Sequence, residues 1–134
     1  MKTSRSLRNL QRTLYLLAAI PVVAGAWTVL VGSDSVPHAG QPTASLESEL
    51  RFYAVWWIGA GVFLAWLAPR VQDRTRELRV FCALLFLGGL SRIVGIIDVG
   101  WPRPSQLMLM ALEFSVPVIL VVWQGRAVGH RSRR

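Results

Sequence analysis

Four blocks of apolar residues, each about the length of a membrane-crossing helix, take up most of this 134-residue chain. A hydrocarbon layer about 30 Å thick takes roughly 20 apolar residues in helical form to cross, and a helix satisfies every backbone N–H and C=O on the way. The blocks run from Leu14 to Val31, Leu50 to Ala68, Val80 to Ile97 and Gln106 to Trp123. They predict an all-α integral membrane bundle of four transmembrane helices over residues 13–124. A basic N-terminus, 1–12, and a basic tail without fixed structure, 125–134, flank it.

Between the blocks the composition changes abruptly. Gly32 to Ser48 is rich in Gly, Ser, Asp, Pro and Thr, with Pro37, Gly40 and Pro42 as chain breakers, and reads as a surface loop. Ser48 is the expected N-cap of the second helix, with Glu49 near the positive end of its dipole, and Pro69 ends that helix. Arg70 to Arg79 forms the next connection, while Asp98 to Pro104 makes a tight turn held out of helix by two prolines. The start of the chain also has the form of a secretory signal, with Ala24-Gly25-Ala26 as a cleavage sequence. The apolar run continues through Trp27, Val29, Leu30 and Val31, however, which gives a full span instead of a short signal core.

The distribution of positive charge sets the orientation, because cytoplasmic segments retain Lys and Arg. Lys2, Arg5, Arg8, Arg12, Arg70, Arg74, Arg76, Arg79, Arg126, Arg131, Arg133 and Arg134 all fall on one side of the predicted spans, leaving Arg51, Arg92 and Arg103 of the 15. Both termini are therefore expected in the cytoplasm, which an even number of spans permits. Tyr15, Trp66 and Trp123 map near the inner surface, and Trp27, Tyr53 and Trp101 near the outer one, as interfacial aromatics should.

The net charge of +8 raises the question of nucleic acid. The basic residues flank apolar spans and are not interleaved with aromatics for stacking, so no nucleic-acid partner is expected. Cys82 is the only cysteine, and His38 and His130 lie in an outer loop and the inner tail, so no metal site, haem site or internal disulfide is expected. Cys82 reads as a small packing residue, or as an acylated thiol.

Charge inside a span is where function is sought first, because leaving it unpaired costs several kcal/mol. Arg92 and Glu113 lie at similar depth, roughly 10 Å below the outer surface at 1.5 Å per residue, on consecutive antiparallel helices, and should pair. Glu49 and Arg51 begin the second helix in the same outer half, with Glu47 and Asp98 at the rim. The candidate site is thus the outer-leaflet cluster Glu49, Arg51, Arg92 and Glu113. Gly88, Gly89, Arg92 and Gly95 share one face of the third helix, where another backbone could approach. The pairs Gly61/Ala65 and Ser91/Gly95 have the same close-packing spacing, and Pro117 deprives the Glu113 carbonyl of its helical donor.

Glu49-Leu-Arg-Phe-Tyr53, Phe86-Leu-Gly-Gly-Leu-Ser-Arg92 and Gly100-Trp-Pro-Arg-Pro104 leading to Glu113 resemble domain-of-unknown-function family 4345, over about Thr13 to Trp123. The resemblance implies a small bacterial four-helix membrane protein of the inner (cell) membrane and no assigned chemistry. More distantly the layout is similar to DoxX-like proteins, some of them linked to quinone redox work.

Two readings of function follow. In one, the protein is a non-catalytic accessory or structural membrane subunit with a membrane-protein partner, and the Arg92–Glu113 pair only fixes the order of helices. In the other, it is a small carrier or a binder of lipid or quinone that uses the same cluster. An enzyme is disfavoured, since no nucleophile, metal ligands or redox cysteine pair accompanies the acid and base. No cofactor is expected, and the lipid bilayer is the surrounding partner.

Overall fold

The α-helices begin ahead of every hydrophobic block and run past the ends of the third and fourth. The structure, a computed structural model, describes residues 5–36 and 41–129. Its helices are α1 (Arg5–Val31), α2 (Ala44–Leu67), α3 (Thr75–Val99) and α4 (Pro104–Gly129), with short 3-10 turns at Gly32–Ser35 and Ala68–Arg70. The fold is all-α, and all four helices are long and apolar enough to cross a membrane.

Several local expectations are corrected. Leu7 and Leu10 are buried at helical spacing with Leu14, which draws the basic N-terminus into α1. The N-cap of α2 is Thr43 and not Ser48: the Thr43 hydroxyl accepts from the Leu46 N–H at 3.2 Å. Arg76, Glu77 and Arg79 belong to the first turns of α3, and Asp98 to its last turn. The helix stops at Gly100, whose φ of 106° few other residues adopt. The tail is helical through Gly129. His38, His130 and the basic residues of 131–134 lie outside the described residues.

The chain packs as two units. The first, Gln11–Pro69, is an antiparallel pair formed by α1 and α2. Its register is set by small residues: a Cβ on Gly25 would lie 2.6 Å from the Ala54 carbonyl oxygen, and one on Gly61 would lie 2.5 Å from that of Ala18. The two backbones approach so closely there that only a hydrogen fits. Pro21, inside α1, packs against the same Gly61. At one end of the pair the Gln11 amide donates to the Pro69 carbonyl at 3.0 Å.

The second unit joins the described residues of Met1–Leu10 to those of Arg70–Arg134. Here α3 and α4 pair through Leu78, Cys82, Gly89 and Arg92 on one side and Glu113, Pro117, Leu120 and Gln124 on the other, spaced by one helical turn or, between Cys82 and Gly89, by two. Only Gly89 of the α3 glycines is packed, against the Phe114 ring. Gly88 and Gly95 face open space, so the expected close approach along that whole face is not made. They lie too far round the helix from Gly89 to meet α4.

Little of the apolar surface is covered by protein. About a quarter of the most apolar stretch is buried in α1 and α2 (22% and 28%) and 11% in each of α3 and α4. Exposed side chains such as Leu16, Ile20, Trp56, Leu84 and Ile119 mark faces whose natural solvent is lipid.

Candidate functional site

The polar residues of α3 and α4 meet inside the span. Arg92 donates from Nε to Glu113 Oε2 at 2.7 Å and from Nη2 to Oε1 at 2.9 Å, a two-pronged ion pair. Its Nη1 donates to the Gln106 side-chain oxygen at 3.0 Å. Gln106 stands seven residues before Glu113, two helical turns along the same face of α4, so one guanidinium spans both. The rigid fork of arginine suits this task, since a lysine ammonium could not hold both carboxylate oxygens in plane.

The pair is held from behind. The Phe114 ring packs against the Cα of Gly89 and edge-on against Phe86, with ring centroids 5.0 Å apart, fixing the separation of α3 and α4 next to the carboxylate. Pro117 lies buried within α4, and having no N–H it leaves the Glu113 carbonyl without the usual helical partner.

Beside the ion pair is a pocket of about 400 Å³. Arg92 and Gln106 form its polar end, Ile96, Trp101 and Met110 its apolar walls, and Gly95 leaves room where a side chain would stand. An arginine has five N–H donors and three are used, so one on each terminal nitrogen has no protein acceptor among the described residues. Arg92 and Glu113 together carry no net charge, and Gln106 carries none. The pocket therefore offers hydrogen-bond donors without a field to attract an ion.

The other predicted residues serve a different part of the chain. Glu47 accepts from the Ser33 N–H at 3.1 and 3.2 Å and from the Ser33 hydroxyl at 3.2 Å, and lies 3.8 Å from Arg51. Arg51 in turn donates to the Val29 carbonyl. Val29 is in the last turn of α1, where carbonyls lack helical donors, so Arg51 caps α1. Gly32 lies directly under the Glu47 carboxylate with a φ of 62°, a place and a conformation that both require glycine. Glu49 and Asp98 are exposed and belong to neither set of contacts. Among the described residues no three His, Cys, Asp or Glu side chains gather closely enough to hold a metal ion.

A family profile described as Domain of unknown function (DUF4345) matches residues 9–124. The chain belongs to this family. The match spans both helix pairs, including Arg92, Gln106 and Glu113, and ends before Gly125. Neither a curated protein nor a solved structure matches the chain. The protein is accordingly a multi-pass membrane protein of the DUF4345 family.

Gln106 and the pocket walls were missed from the sequence. An amide near the start of a span carries no charge to draw attention, yet its place two turns before Glu113 on one helical face is a signal the sequence contains.

Proposed function

We propose that the protein is a non-catalytic carrier or binder of an uncharged, membrane-soluble molecule, held in the pocket between α3 and α4. The observation that carries this reading is the pair of Arg92 N–H groups without acceptors at the polar end of an otherwise apolar pocket. A donor left unsatisfied in hydrocarbon costs about 1–3 kcal/mol, which an acceptor on the bound molecule recovers. A carbonyl or ester oxygen on an apolar body fits, as in a neutral lipid or a quinone. An anion fits less well, because Glu113 already neutralises the arginine. The arginine count favours placing both termini on the cytoplasmic side, and the family resemblance favours a bacterial inner membrane.

The test is native mass spectrometry of protein released from its own membrane, alongside Gly95→Phe, which fills the pocket while Arg92, Gln106 and Glu113 are all retained. A neutral lipid or quinone that leaves with the parent and is missing from the variant is the expected result. The same bound species on both proteins, or none on the parent, would remove the reading.

One observation favours the accessory-subunit reading instead. Phe52, Trp56, Phe63 and Trp66 form an exposed stripe on a single face of α2, with open space at Gly59 in the middle. A partner protein retained at fixed stoichiometry in the same spectra, and lost when Trp56 and Phe63 become leucine, would support it.

A further inference from the structure

One end of the second unit is built as a platform. Trp123 Nε1 donates to the Ser6 hydroxyl at 3.1 Å, and the buried Gln124 amide donates to the Val71 carbonyl at 2.6 Å and to the Thr75 hydroxyl at 3.3 Å. These bonds join the start of α1, the segment before α3 and the last turns of α4 at one level, over buried Leu7, Leu10, Val71, Leu78 and Ala127. The platform displays Arg5, Arg8, Arg70, Arg76, Arg79 and Arg126, all exposed. The acids in the same described segments are Asp73 and Glu77.

The arginines lie where the lipid-facing surface ends. Arg79 adjoins Val80, 59% exposed, and Arg126 stands one turn beyond Val122, 46% exposed. A guanidinium at that level meets the phosphates of the surrounding leaflet, and its planar fork binds phosphate oxygens in pairs. The start of α3 adds to this, because its first N–H groups have no side-chain cap and its positive dipole end faces the same side.

We propose that this platform seats anionic phospholipid headgroups, choosing phosphodiesters with net negative charge over zwitterionic ones. A zwitterionic headgroup would bring its own cation against the ring of arginines, whereas an anionic one offsets their mutual repulsion. Each arginine near an anionic surface strengthens attachment by roughly a factor of five.

The experiment places the full chain in vesicles of equal parts phosphatidylglycerol and phosphatidylcholine with matched acyl chains, and reads retained lipids by native mass spectrometry. The parent should keep phosphatidylglycerol in clear excess. Changing Arg76, Arg79 and Arg126 together to glutamine should bring the ratio close to that of the vesicle, while Arg103→Gln should leave it unchanged. Equal retention by the parent, or an excess that survives the triple change, would overturn the proposal. Should the triple variant not fold, the parent still decides it, because its unfolding temperature should rise with the phosphatidylglycerol content of the vesicles. A temperature that does not respond to that content counts against the proposal.

Discussion

The two helix pairs answer the same physical problem in different ways. In lipid, apolar side chains gain nothing by leaving one solvent for another, so helices associate through close packing or through polar contacts. In α1 and α2, glycine is placed against backbone at Gly25/Ala54 and Ala18/Gly61, and charged side chains are confined to the ends of the pair, at one of which Glu47 and Arg51 hold the last turn of α1. In α3 and α4, a single glycine packs against a ring, and an arginine and a glutamate are carried into the span itself. The first pair is held by shape and the second by charge. A pocket on α1 is lined by Ala19, Ile20, Val23, Ala24 and Trp27, whereas the one between α3 and α4 has the arginine and Gln106 at its polar end.

The comparison can be broken at its strongest point first. Arg92→Ala leaves Glu113 without its partner and should cost about 3–5 kcal/mol, read as unfolding free energy in a mild detergent. The double change of Arg92 and Glu113 to leucine should recover most of that loss. Equal stability of Arg92→Ala and the parent would mean that charge does not hold the second pair. Next comes Gly61→Val, whose Cβ would fall 2.5 Å from the Ala18 carbonyl oxygen. It should cost about 1–3 kcal/mol, and more if the helices cannot part. A Gly61→Val protein with an unchanged unfolding midpoint would show that the close approach is dispensable. The smallest effect is expected from Gly95→Ala, which meets open space and should stay within about 0.5 kcal/mol of the parent. A large loss there would place an unrecognised neighbour against α3.

The four spans were legible because hydrocarbon imposes composition along a whole helix. Their ends were not, because helices run on into the headgroup region where composition is free. The basic first turns of α1 looked like a solvated arm until Leu7 and Leu10 are counted together with Leu14 at helical spacing. The cap of α2 was misplaced within a run of Ser and Thr, any of which could serve, and the choice of Thr43 depends on backbone geometry that residue types do not encode. Opposite charges at matched depth made the contact of Arg92 with Glu113 readable. Arg51 and Glu47 could be read as neighbours one turn apart, but their main targets are the Val29 carbonyl and the Ser33 N–H. Backbone groups are identical in every residue, so no pattern of side chains pointed to them.

Pro117 bears on how α4 can move. The helix has one fewer rung at the turn containing Glu113, so bending is cheapest there. Below the break, Gln124 anchors α4 to the backbone near α3. Above it, the segment that carries Gln106 and Met110 is fastened to α3 through Arg92. The molecule therefore contains a lever with a fixed arm, a pivot and a latched arm. The latch is a guanidinium that also lines the pocket, so a bend of α4 at Pro117 would shift the pocket wall formed by Gln106 and Met110.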